Sequence, residues 1–453
     1  MRSPVLMFIM MVAMSAVALA QTSAKQKQAA RQRADDWYQL YRERMKNPVK
    51  LGKVPSVKLQ ERPTANAQQV ERIHGLIAAL AKVEKPDYGF SSTLSGHAFL
   101  PVDDQHESSA LLITNHGLQS SSALKELVSL GADALPFLLK ALDDQTQTKI
   151  RLEHRGGFGG MWFDQELYGN PLNPKEVGII RAGQDGGASH LEQHVDEFTV
   201  KVGDLCFVAI GQIVGRAYQA VRYQPTACIV VNSPSHDTEL ASKVRKMWTS
   251  ETPREALLQS LLRDYSSIGI HYEGDSLDVW SVGSDLQCGA ALRLLYYYPQ
   301  ETAELIADRL ARLDVEKTRD GETDQFIERE VKNGARTREF VQSISWSRHP
   351  AIRKAVTDLF LKATDDDIML ASLIGVDDPE EEIIPRRLEP ILAKLPADEG
   401  PIYGQGWNVL RAWTKASPGT AKGAMTRYVR NGEVQRLQTV CAVLNEISDG
   451  SET

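Results

Sequence analysis

Two histidines four residues apart, His190 and His194, have the spacing that puts both imidazoles on one face of a helix. There they can grip a zinc ion at about 2.0–2.1 Å. A zincin carries its general-base glutamate directly after the first histidine. Here Glu192 stands two positions along, turned toward the other side of such a helix, and Asp196 or Glu197 is the nearest third ligand. Gly186, Gly187 and the strand-forming Phe198 argue against a helix at 190–194. The default reading is a polar, exposed loop, and no cofactor is expected, zinc at this pair being the alternative.

A second group has the composition of a sugar-binding cleft. Trp162 and Phe163 offer stacking faces beside the carboxylates Asp164 and Glu166, downstream of Gly156, Gly157, Gly159 and Gly160. Paired carboxylates hydrolyse glycosides when held about 5–10 Å apart across the bond, but neighbours in sequence do not establish such a separation. No Gly-Lys-Ser/Thr follows the glycines, so this is not a nucleotide-binding loop. The competing reading is a structural loop whose aromatic rings pack on the helices. Ser235, His236 and Asp237 supply the residue types of a hydrolase triad. Triads are assembled from distant positions, and no GxSxG elbow is present, so these residues read as a turn that caps a helix over 239–248. Tyr296, Tyr297 and Tyr298 read as packing at a helix end. The acidic run from Asp377 to Glu382 lacks EF-hand spacing and reads as a solvated loop.

The elements that must position these groups are mostly helical. Residues 24–47 form a charged helix in which Lys25, Lys27, Arg31 and Arg33 accompany Trp37, Tyr38 and Tyr41. Its two readings are contact with an anionic surface and a solvated face. A proline-spaced connector runs from Pro48 to Pro63. A helix follows over 68–83, with Ile73, Leu76, Ile77 and Leu80 at helical period, and then an irregular stretch over 85–120. Ser121 or Ser122 caps a helix bearing Leu124, Leu127 and Val128, and Gly131 stops it. Asp133 is expected to cap the next helix, whose apolar face is Leu135, Leu138, Leu139 and Leu142. Two short amphipathic helices joined by a tight turn resemble a HEAT-like repeat. The resemblance covers 121–144 and, more loosely, 349–372, where Pro350 opens a helix carrying Ile352, Val356, Leu359 and Phe360. It implies an α-solenoid and carries no activity with it.

Thr252, Pro253 and Glu255 read as a capping box with proline in the first helical position. Helices are also expected over 285–297, 301–313, 388–394, 405–415, 418–430 and 434–447. Residues 145–202, rich in Gly, Asp and Asn, form a long insertion, and short strands are expected at 198–202 and 226–231. The stretch 202–216, leading to 221–226, looks like a segment of uncharacterised exported bacterial proteins. That similarity implies a bacterial, periplasmic or secreted setting.

Address comes from the first twenty residues. Arg2, an apolar run over 5–19 and the exit Ala18-Leu19-Ala20 make a secretory signal peptide cleaved near Ala20-Gln21. The run is shorter than the ~20 residues of a membrane span, so no transmembrane anchor is expected. The formal charge is −7, which argues against nucleic acid as a partner. Of the four cysteines, Cys206, Cys288 and Cys441 lie on apolar helical stripes and read as small buried hydrophobes. A bridge between Cys206 and Cys228 is the alternative.

The expected organisation is therefore a signal peptide (1–20), N-terminal helices and connector (21–120), a helical repeat region with the insertion at 145–202 (121–375), and C-terminal helical repeats (376–453). The fold class is mostly all-α, an irregular superhelix of HEAT-like hairpins. The expected function is a non-catalytic scaffold that engages a protein partner or a cell-surface polymer. The alternative is an exported hydrolase, acting on glycans through Trp162, Asp164 and Glu166 or on another polymer through a metal at His190 and His194.

Overall fold

The computed structural model describes residues 51–63, 65–84, 99–105, 121–153, 193–195, 197–216, 218, 220–223, 229–231, 233–267, 282–316, 328–330, 332–334, 336–396, 404–430 and 434–450. By internal contacts the chain divides into two units, Met1–Pro48 and Val49–Thr453, and every described residue lies in the second. Helices hold 70% of the described residues, which makes the chain mostly all-α. Among the described residues no helix is long and apolar enough to cross a membrane.

The helices follow from their caps. Asn66 and Gln69 close a reciprocal capping box at the start of α1 (Ala67–Ala79). Ser121 accepts from the Leu124 amide and starts α2 (Ser122–Leu130), which stops at Gly131. In α3 (Leu135–Lys140) proline occupies the first turn, and Leu135, Leu138 and Leu139 are buried. Asp133 does not cap α3 as expected. The backbone tightens into a 3-10 turn over Gly131–Asp133, and the carboxylate turns away to form a two-point ion pair with Arg254, both bonds 2.7 Å long. A bidentate guanidinium offers two charge-assisted bonds where a cap offers neutral amides. Thr252 likewise makes no side-chain cap at the start of α6 (Pro253–Tyr265), which relies on Pro253 in its first turn.

The short strands outnumber the two expected. Strand β1 (Gln147–Glu153) pairs antiparallel with β3 (Glu197–Lys201), while β2 (Gln193–Val195) and β4 (Val221–Tyr223) flank β5 (Ile229–Val231), also antiparallel. Within β1, Thr148 and Ile150 are buried two residues apart, the period of a strand with one covered face.

The middle of the core is α4 (Val202–Val214), all of whose residues are buried. A helix apolar on every side belongs inside a protein rather than on its surface, and α4 packs against α1, α2, α3 and α6. Close approach needs Gly203, where a Cβ would meet the Leu142 carbonyl oxygen at 2.4 Å. Gly215 ends the helix in the left-handed conformation, at φ 72°. The two polar side chains of α4 are satisfied: Gln212 accepts from the Leu100 amide at 3.0 Å, and Asp204 lies in a network described below. Two arginines are buried beside it. Arg216 pairs with Asp264 at 2.6 Å. Arg293 lies over the Phe99 ring at 5.0 Å, and burial pulls its guanidinium down to about 10.

The remaining helices pack both on sequence neighbours and on next-but-one neighbours. Helix α5 (Thr238–Trp248) packs on α3; α6 packs on α7 (Val282–Tyr297), and α7 on α8 (Pro299–Arg312) and α9 (Thr337–Ile344). Next come α10 (Pro350–Lys362), which packs on α8, and α11 (Asp366–Ser372), which packs on α9 and α10. The tyrosine cluster is packing, as expected: Tyr297 donates to the Val128 carbonyl at 2.5 Å and Tyr298 to the Arg254 carbonyl at 2.7 Å. The last four helices are α12 (Ile383–Lys394), α13 (Gln405–Ala416), α14 (Pro418–Val429) and α15 (Val434–Gly450). The acidic run is exposed, as expected, except at the half-buried Asp378. Asp378 accepts from the amides of Glu382, Ile383 and Ile384 at 2.8–3.0 Å, and so starts α12.

One cysteine reading is overturned. Cys206 is buried and unbridged and Cys288 is partly covered, but Cys441 is exposed. Helix α15 buries Arg436, Val440 and Val443 against its neighbours, whereas Leu437 and Leu444, on the same side of the helix as Cys441, are each 50% exposed. Both faces of this helix carry apolar residues at helical spacing, so periodicity alone does not select the inner one.

Candidate functional site

The sugar-cleft group Trp162, Phe163, Asp164 and Glu166 lies outside the described residues, as do His190 and Cys228. His194 lies in β2, opposite Val230 of β5. The four-residue spacing makes His190 and His194 a pair only on a helix, and the backbone at His194 is an extended strand. Among the described residues no three His, Cys, Asp or Glu side chains are grouped to hold a metal ion.

Ser235, His236 and Asp237 form the turn expected of them. Asp237 accepts from the amides of Glu239 and Leu240 and caps α5. The turn also meets the first turn of α4. The buried Asp204 accepts hydrogen bonds from Ser233, from Ser235 at 3.2 Å and from the Lys201 amide at 2.9 Å. The Lys201 ammonium reaches Gln145 at 2.7 Å and His236 Nε2 at 2.9 Å. Serine, carboxylate, imidazole and amine thus come together, but the carboxylate holds two hydroxyls and an amide rather than the imidazole. This is the wiring of a structural knot. A triad requires the carboxylate on the histidine and the histidine on the serine.

Burial raises the Asp204 carboxyl, outweighing the hydrogen bonds from Ser233, Lys201 and Ser235 that favour its charged form. A carboxyl raised in the folded state stabilises that state fully below the unfolded value near 3.8. The contribution is lost as pH rises through the folded value. The stability of the wild type relative to Asp204→Asn should therefore fall between acid and neutral pH, as read from urea midpoints. A constant difference would mean that Asp204 does not titrate in that range.

A different site lies at the chain's C-terminal helices. A cleft of ≈ 170 Å³ is lined by Glu389, Leu392 and Ala393 of α12, Ala424, Arg427 and Tyr428 of α14, and Arg436 of α15. Arg427 and Glu389 form an ion pair at its edge. Arg436 is 8% exposed and its guanidinium stacks over the Tyr428 ring at 4.9 Å. It donates from Nη2 to the Leu395 carbonyl at 3.2 Å, while its buried Nε has no acceptor among the described residues. On the outer side of α15, Val434 is 65% exposed, and Leu437, Cys441 and Leu444 continue an apolar stripe along the same helix. Nothing in the sequence reading marked the cleft. The available signal was the spacing of Arg436, Val440 and Val443, which sets an arginine on the buried stripe.

Compared with protein-family models, curated proteins and solved structures, the chain matches none.

Proposed function

We propose that the protein is an exported, non-catalytic scaffold of HEAT-like hairpins that docks a protein partner on the outer face of its last helix. The observation that carries this reading is the exposed stripe of Val434, Leu437, Cys441 and Leu444. Their spacing of three, four and three residues is that of a helix-pairing seam. Outward faces of helices in soluble proteins are normally polar, and α15 exposes apolar side chains at these four positions. Covering a leucine contributes roughly 1.5–3 kcal/mol, so two leucines and a valine supply a useful share of a moderate affinity.

Charge indicates the partner. Between Glu399 and Glu433 the chain holds Arg411, Lys415, Lys422, Arg427 and Arg430 and no acidic residue, although the whole chain is acidic. The fitting partner is an acidic amphipathic helix, whose encounter is favoured by the basic helices α13 and α14 that pack on α15. A synthetic amphipathic peptide with leucines at seam spacing and glutamates beside them should bind, and binding should be lost in the double variant Leu437→Asp/Leu444→Asp. Equal binding by that variant or by a scrambled peptide would contradict the reading. Export is part of the proposal: secreted from a bacterial host with its leader, the protein should begin at Gln21. Recovery of an intact Met1 in the membrane fraction would make the leader an anchor.

A further inference from the structure

We propose that the cleft between α12, α14 and α15 is a binding site for a carboxylate carried on a short aliphatic stem. The site is distinct from the docking stripe, because Arg436 lies on the buried side of α15 and the stripe on its exposed side. Three observations converge. The first is an incomplete hydrogen-bond set: Arg436 is more than nine-tenths buried, yet its Nε lacks an acceptor among the described residues. Among the described residues its one hydrogen bond is from Nη2 to the Leu395 carbonyl, so the guanidinium of this cleft-lining residue keeps donor capacity that the protein does not use.

The second is charge. Arg427 and Arg436 against Glu389 leave the lining with one net positive charge, which suits a monoanion better than a phosphate dianion. A carboxylate accepts charge-assisted hydrogen bonds from a guanidinium, and the partly closed cleft strengthens them relative to water. The third is shape. Leu392, Ala393, Ala424 and the Tyr428 ring make the rest of the wall apolar, so the stem of the acid has a surface to cover. The volume is below the ~300–1,000 Å³ of sites for drug-sized ligands, which limits the occupant to a small acid or a single side chain. Free short-chain acids and glutamate side chains on a protein surface share this chemistry.

Calorimetric titration of the full-length protein tests the site with three probes. Sodium butyrate stands for a free acid, N-acetyl-glutamate α-amide for a glutamate side chain, and butyramide is the neutral isostere of butyrate. Butyrate is expected to bind one per chain and butyramide at least tenfold more weakly. Comparable binding of the glutamate probe assigns the site to a protein carboxylate, and binding of butyrate alone assigns it to a free acid. Arg436→Gln should weaken butyrate at least tenfold. Because Arg436 is buried and its loss can unfold the helix pair, two variants at the rim carry the test independently. Glu389→Gln removes the competing carboxylate and should tighten butyrate severalfold, an effect with the opposite sign to simple damage. Ala393→Phe, on an exposed helical position, should obstruct the cleft. No butyrate binding, equal binding of butyrate and butyramide, or weaker binding in Glu389→Gln would overturn the proposal.

Discussion

Asp264→Ala is expected to cost the folded chain about 3–5 kcal/mol, the range for breaking a buried ion pair from one side. Arg216 and Asp264 meet at 2.6 Å with side chains only 1% and 2% exposed. Arg216 follows the end of α4 and also donates to the carbonyls of Val214 and Gly215 at 3.1 Å, so the pair fixes that end of the central helix to the last turn of α6. Guanidinium does not escape by losing its proton. Removing the carboxylate therefore leaves a buried cation without this counter-charge. Asp264→Asn keeps an acceptor and loses only the charge, so its urea midpoint should fall between wild type and alanine. The exposed pair Lys354–Asp358, with side chains 80% and 62% exposed, provides the contrast. Solvent screens it, and Lys354→Ala should leave the curve unchanged. Equal effects at the two sites would mean that the Arg216–Asp264 pair is hydrated in solution.

Leu139→Asp should be nearly as damaging. Leu139 is 4% exposed on α3, a helix that packs against α1, α4 and α5. The change removes an apolar side chain, which in similar core positions costs about 2–5 kcal/mol, and adds a carboxylate that must be desolvated or protonated. Arg245 donates to the Leu139 carbonyl at 2.8 Å, but its guanidinium is already paired with Asp143. We expect a loss of roughly 4 kcal/mol or more, a large part of the 5–15 kcal/mol of a typical domain. Leu139→Met, which keeps volume and polarity, should cost less than about 1.5 kcal/mol. A neutral Leu139→Asp would place α3 outside the core.

The sequence made the helices legible where local chemistry acts alone. Ser121 and Gly131 bound α2, Pro350 opens α10 and Asp237 caps α5, each through backbone groups a few residues away. It misled where a distant partner competes. Asp133 is a good cap in isolation, but Arg254, more than a hundred residues on, takes its carboxylate. The same limit hides the cleft, because its walls come from three helices and its defining feature is an arginine where apolar periodicity expects leucine. On α15 two apolar stripes coexist, so the choice of inner face depends on what α13 and α14 present to it, and Cys441 was read on the wrong one. Strand β1 was legible in principle: Thr148, Ile150 and Leu152 alternate with polar residues. It lies, however, at the start of the Gly-, Asp- and Asn-rich stretch 145–202, whose composition suggests an irregular insertion.

The central claim, that a partner covers the outer face of α15, is tested most directly at Cys441, which lies within the exposed stripe. The measurement is its alkylation rate by a small maleimide, compared between the purified protein and intact cells that export it. Cys206 is the internal reference, because burial pushes its thiol far above the usual range and it should react only on unfolding. The account predicts fast labelling of Cys441 in the purified protein, protection in the cell, and renewed labelling in the cell when Leu437 and Leu444 are changed to Asp. Equally fast labelling of Cys441 in both settings would contradict it.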